Sequence, residues 1–225
     1  MFGRIVWLVL KKDFTVEVRS LEIAYTMLFF AVSCVLIFAF ALVQEGQAPE
    51  GGAAGILWIA IAFAGTLALG RTFERERQSE TLRALLLAPA ARPAIYVGKL
   101  LGIVALLLGA EMILVPLVAL LFQAPLLSRP GWLAIILVLG TLGFAAVGTL
   151  FAAMLVRARS RDVLLPVLLY PITVPVIIAG VRATAALLQP EVDASIIYFW
   201  LALLVCFDVV FVTLALWTFE PLMTD

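Results

Sequence analysis

The chain has 225 residues, 65% of them hydrophobic and 13% charged, with a formal net charge of zero. Soluble domains carry about 25% charged residues, so this is an integral membrane protein, and its neutral balance leaves no global basic field for nucleic acid. Histidine is absent and the two cysteines, Cys34 and Cys206, lie in apolar runs; this removes the commonest general base and haem ligand and makes the thiols small buried hydrophobes.

The first stretch, 1–22, is amphipathic: Arg4, Lys11, Arg19 and Glu22 recur near helical spacing, with Ile5, Val6, Val9, Leu10 and Phe14 between them. That pattern predicts a helix lying in the membrane interface. Its charges are spread and no small-residue cleavage site follows, so it does not read as a cleavable signal. Spans are predicted over 25–43, 56–70, 94–122, 131–155, 163–188 and 196–218. The expected fold is therefore an all-α integral membrane protein, a single domain of six transmembrane helices. Thirteen of the fifteen Lys and Arg residues fall in the N-terminal segment, the stretch Arg71 to Lys99 and the Arg157 to Arg161 loop. The opposite loops hold Arg129 and Arg182 beside Glu45, Glu50, Glu191 and Asp193. The excess of basic residues places both termini in the cytoplasm.

Between spans two and three lies a charged island, with 71–93 as its core. It opens on Arg71, Glu74, Arg75, Glu76, Arg77, Glu80 and Arg83. Leu82, Leu85 and Leu86 then share one face of a short helix, with Leu87 beside them and Pro89 as a stop. Ser79 can cap that helix, Glu80 suits its positive end, and Pro93 fits the first turn of the next helix. The segment is either a handle offered to an aqueous partner or a solvated loop whose leucines rest on lipid headgroups.

Within the spans, small residues mark helix-packing faces: Gly98, Gly102 and Gly109 in the third, and Gly140, Gly143 and Gly148 in the fourth. The fifth span carries Pro166, Pro171 and Pro175, with Thr173 between the last two. Each proline removes a bond from the helix ladder. Freed carbonyls are tolerated only against protein or water, so this helix is expected to be kinked or locally unwound and to face the bundle or a cavity, as a hinge or a path lining. Two acids lie inside spans, Glu111 and Asp208. A charge at mid-membrane costs at least about 2.5 kcal/mol, so each needs a partner, a proton or a wet cavity. No catalytic constellation is present. Gly98-Lys99 is not a phosphate loop, because Pro93 stands where that motif needs glycine. Any nucleotide must be bound by another chain.

The order of parts resembles the permeases of the ABC-2 class of exporters: an interfacial helix, six spans and a coupling-type helix between spans two and three. The runs Phe73-Glu-Arg-Glu-Arg77, Thr81-Leu82, Leu85-Leu86-Leu87-Ala-Pro89 and Ala94-Ile-Tyr-Val-Gly-Lys99 are similar, more narrowly, to the cytochrome c maturation protein B (CcmB) family of haem exporter subunits. Leu139-Gly-Thr-Leu-Gly-Phe-Ala-Ala-Val-Gly148 and Leu165-Pro-Val-Leu-Leu-Tyr-Pro-Ile-Thr-Val-Pro175 carry the same likeness, which covers essentially the whole chain. One departure is Glu80, where the family pattern commonly has glycine before the Thr-Leu pair.

The resemblance implies a bacterial inner-membrane permease subunit acting in c-type cytochrome biogenesis. It implies an ATPase partner, CcmA, holding ATP and Mg, a second copy of the permease, and the companions CcmC, CcmD and the haem chaperone CcmE, all in membrane lipid. The residues expected to meet the ATPase are Glu74, Glu80, Thr81, Leu82, Leu85, Leu86 and Leu87. Haem is the implied cargo, with no cofactor bound by this chain. Without histidine the subunit can serve mechanically, releasing haem-loaded chaperone. Two other readings stay open: an ABC-2 permease for a lipid, drug or glycan, and a proton-coupled carrier using Glu111 and Asp208. A static anchor is a third.

Overall fold

A computed structural model of the chain describes residues 2–42, 49, 51–78, 92–155, 161–191 and 193–222. Among the described residues seven α-helices follow one another: α1 (Phe2–Ser20), α2 (Glu22–Leu42), α3 (Gly52–Gln78), α4 (Arg92–Leu121), α5 (Pro130–Met154), α6 (Arg161–Leu188) and α7 (Ala194–Leu222), with a 3-10 turn at Leu126–Ser128. No strand occurs among the described residues. Six of the helices, α2 to α7, are long and apolar enough to cross a membrane. Their outer faces carry Phe29, Phe40, Met112, Leu120 and Trp217, all exposed. A helix that is apolar on its outer side as well as its inner one belongs in hydrocarbon, and the chain is a multi-pass membrane protein.

Local chemistry sets the joints. Leu21 adopts φ 52° between α1 and α2, so the amphipathic helix and the first span are separated by a single left-handed residue. Gln123, at φ 51°, follows the end of α4. Pro130 starts α5 where its missing N–H has no intrahelical duty. Two helices form the centre. The apolar stretches of α5 and α3 are mostly buried, whereas that of α7 is mostly exposed. Helices α4, α6 and α7 pack around α5, α2 lies against α3, and α1 crosses α4.

The helix that carries span two extends past the stretch expected to cross the membrane: α3 continues through Gly70 and Arg71 to Gln78. No proline interrupts it, and Arg71 and Glu74, one turn apart, lie 3.8 Å from each other on its surface. Phe73 is buried against the bundle in the same turn. At the other end of the island, residues from Arg92 onward already belong to α4, and Lys99 is buried. The cysteine expectation also changes. Cys206 is exposed on the outside of α7, and Cys34 is half-buried.

Candidate functional site

Four features of the bundle bear on function. The first is the lock at its centre. Trp58 of α3 is 1% exposed and fills the hollows left by two glycines on two other helices. A Cβ at Gly140 of α5, or at Gly180 of α6, would fall inside its indole ring. The indole Nε1 donates to Thr184 Oγ1 of α6 at 3.0 Å. Leu69 fills the hollow of Gly148 in the same way, and Phe144 of α5 fills that of Gly65, its Cε1 at 2.5 Å from where a Cβ would stand. Tyr96 of α4 donates to the Ala146 carbonyl of α5 at 3.0 Å. Gly140 and Gly148 of α5 are therefore packing positions. Of those predicted on α4, Gly98 is one, but its partner is Val9 of the amphipathic helix rather than another span. Gly109 has nothing within 4 Å of where a Cβ would stand, so among the described residues it has no packing partner there.

The second feature is the clamp of α1 on α4. Lys99 Nζ donates to Asp13 Oδ2 at 2.6 Å, and Lys12 Nζ lies 3.0 Å from Asp13 Oδ1. Lys99 is 3% exposed along its side chain and Asp13 20%. A buried ammonium is tolerated only with such a partner. Sequence reasoning missed this pair. Its members are 86 residues apart, and two ordinary charges carry no local sign that they meet.

The third feature is the pair of intramembrane acids, both buried. Thr141 of α5 donates to Glu111 Oε1 of α4. Among the described residues, Glu111 Oε2 and both oxygens of Asp208 have no hydrogen-bond partner. Asp208 of α7 lies against Gly143 of α5, its Oδ1 at 2.6 Å from where a Cβ would stand. Two residues along a helix are about 200° apart around its axis. Thr141 and Gly143 therefore point to nearly opposite sides, and α5 stands between the two carboxylates. The fold does not bring the acids into one site.

The fourth feature is α6. It is continuous from Arg161 to Leu188 through all three prolines, not unwound. Pro171 and Pro175 are exposed, with Val167, Val174 and Ile178 on the same side. Of the two expected surroundings, bundle or cavity, Pro171 and Pro175 do not take the bundle of this chain. The buried side carries Thr173, Val176, Ala179 and Thr184 instead. The Thr173 hydroxyl donates back to the Leu169 carbonyl at 2.9 Å. Lacking N–H groups, Pro171 and Pro175 leave the carbonyls of Val167 and Pro171 without their usual ladder donors, one turn apart on the outward side. Pro166 lines a separate cavity of about 420 Å³ between α3, α5 and α6, with Arg71, Glu74 and Leu155.

Of the residues expected to meet an ATPase, only Glu74 falls within the described residues, on the surface of α3. Glu80, Thr81, Leu82, Leu85, Leu86 and Leu87 lie outside them, as does Ser79. Outside the spans, Asp193 sits just before α7. It accepts from the backbone N–H of Ser195 at 2.9 Å and from its hydroxyl at 2.6 Å. The Ser195 hydroxyl, then its N–H, holds that carboxyl below the usual aspartate range.

The family model of the CcmB protein matches residues 4–221. Heme exporter protein B of Pseudomonas aeruginosa is 30% identical over 172 residues, 76% of each chain. That of Rhodobacter capsulatus is 32% identical over 170 residues, 72% of this chain and 77% of the relative. That of Escherichia coli K12 is 33% identical over 102 residues, 45% of this chain and 44% of its own.

Proposed function

Because the chain belongs to the CcmB family, we propose that it is the membrane permease subunit of a haem exporter complex acting in c-type cytochrome biogenesis. It is a transporter membrane subunit and not a catalytic chain. ATP and Mg are bound by a separate ATPase subunit, CcmA. The permease works as two copies in the bacterial inner membrane with both termini cytoplasmic, beside CcmC, CcmD and CcmE.

One observation carries the mechanical part. Helix α3 runs unbroken from the central lock at Trp58 to Gln78, within the coupling segment 71–93. At 1.5 Å per residue that is a rod of about 30 Å. An ATPase gripping Glu74, Glu80, Thr81 and the leucines Leu82, Leu85, Leu86 and Leu87 would pull on one end. The other end is wedged by its indole into glycine hollows of both α5 and α6. Displacement of the grip is thereby carried into the two helices that differ most in backbone bonding. Pro171 and Pro175 let α6 bend, with Pro166 near its basic end. The outward side of α6 turns toward the space between the two copies, where water meets the carbonyls that hydrocarbon would leave unsatisfied. This account needs no haem ligand from the chain.

Reconstitution with the ATPase tests the reading. Leu82→Ala or Leu86→Ala should each weaken ATPase binding by about 2 kcal/mol if the leucines are anchors. Full-strength binding without those leucines sinks the assignment. A carrier using both intramembrane acids as one site is disfavoured by the helix standing between them.

A further inference from the structure

Helix α1 keeps its acids on one side and three of its bases on the other. Val9, Asp13 and Glu17 stand at successive i, i+4 positions and so share a face. Each of them meets the bundle. Val9 fills the hollow of Gly98, Asp13 accepts from Lys99, and Glu17 Oε1 accepts from the Ala24 N–H of α2 at 2.9 Å. These contacts fix which way the rest of the helix looks. Arg4, Lys11 and Arg19 fall within an arc of about 80° on the opposite side, and all three are exposed. Asp13 and Glu17 are the only acids of α1, so the basic face carries no carboxylate of its own. Among the described residues, no hydrogen bond or ion pair engages these three side chains.

Beside the basic face runs an apolar one. Trp7, Phe14 and Val18 lie within about 40° of one another, centred about 70° from the bases. They are 62%, 65% and 55% exposed. Neither bulk phase suits this pairing. Water would leave three large apolar side chains solvated along one line, and hydrocarbon would have to take up three cations. The boundary between the two satisfies both stripes. Rings and branches enter the acyl region, while the long basic side chains reach the phosphates. Such a face also discriminates among headgroups. A zwitterionic headgroup brings a cation of its own, whereas an anionic one presents a net negative charge to three bases with no acid among them.

We propose that the outer side of α1 binds anionic phospholipid of the adjoining leaflet. Arg4, Lys11 and Arg19 hold the headgroup phosphates, and Trp7, Phe14 and Val18 lie among the acyl chains. Through Val9 and Asp13, the same lipid surface steadies the first turns of α4. The proposal rests on the interfacial placement of α1, and on neither the ATPase nor the cargo.

Fluorescence quenching of the full chain in lipid nanodiscs tests this. Phosphatidylcholine discs carry, at equal mole fraction, either phosphatidylglycerol or phosphatidylcholine with brominated acyl chains. Subtracting the signal of Trp7→Phe isolates the quenching at Trp7. Brominated phosphatidylglycerol should quench Trp7 more than brominated phosphatidylcholine does. The preference should fall about fivefold, the equivalent of about 1 kcal/mol, for each base removed in Arg4→Gln, Lys11→Gln and Arg19→Gln. Arg4→Lys with Arg19→Lys should retain it, because charge rather than shape is read. Added salt should weaken it in the wild type, a result that depends on no variant folding. Equal quenching by the two lipids overturns the proposal, as does a preference that neither salt nor the triple variant reduces. Absence of quenching by either lipid also overturns it, since the face is then in water or under a protein.

Discussion

Helices α5 and α6 are neighbours of similar length, 25 and 28 residues, and both carry residues that weaken helices. Those residues act in opposite ways. Three glycines of α5 remove side chains where a neighbour occupies the hollow: Trp58 at Gly140, Asp208 at Gly143, Leu69 at Gly148. The prolines of α6 remove backbone donors, and two of them do so on the outward side. Accordingly the apolar stretch of α5 is mostly buried and that of α6 mostly not. Losing a side chain lets another helix come close and locks the pair. Losing an N–H loosens one helix along its own axis. The bundle thus places its most constrained span beside its most deformable one, with Trp58 touching both.

The largest expected effect comes from the lock. Trp58→Ala should cost about 3–5 kcal/mol of stability, read as a lower midpoint of thermal unfolding in detergent. An unchanged midpoint would mean that the glycine hollows are not what holds α5 in place. Next are the prolines. Pro171→Ala combined with Pro175→Ala restores two backbone bonds and should raise the unfolding midpoint, a gain of up to about 3 kcal/mol. The same variant should lose ATP turnover coupled to the permease. Retained coupling with a stiffened α6 would remove the contrast between the two helices.

Two glycine substitutions sharpen the comparison further. Gly143→Ala drives a methyl against Asp208 and Val176 and should cost about 1–3 kcal/mol by overpacking. Gly109→Ala meets open space and should stabilise α4 by about 0.5–1 kcal/mol. Equal effects at the two sites, measured by the same unfolding assay, would show that the hollows are not individually filled. The smallest effect belongs to the joint between α6 and α7. Asp193 has its carboxyl held low by Ser195. Its contribution is present above the unfolded-state value and is lost as pH falls through the depressed folded one. Amide exchange at the first turn of α7 should therefore quicken only below the ordinary carboxylate range, and Asp193→Ala should make that turn exchange fast at neutral pH too.

How much of this was legible beforehand differs from residue to residue. The spans were plain, because a run of some twenty apolar residues has few other uses. The end of α3 was not. Charge from Arg71 onward looks like an exit from the membrane, yet nothing in Phe73-Glu-Arg-Glu-Arg77 stops a helix, and the bundle needs Phe73 as core. The acids were visible as expensive residues, but their separation by α5 depends on Thr141 and Gly143 pointing opposite ways. The prolines announced missing donors without saying which side would lack them.

The sequence alone determined that the chain lives in a membrane, crosses it six times and carries a basic bias on one side, because hydrocarbon imposes those terms on composition and spacing whatever the partners are. Its motifs also pointed to the family. Only the tertiary structure decided that Gly98 is filled by Val9 while Gly109 is left open, that Lys99 reaches Asp13, and that Trp58 enters both α5 and α6. Those outcomes depend on which helix faces which. A missing side chain or a lone charge cannot state its neighbour until the packing supplies one.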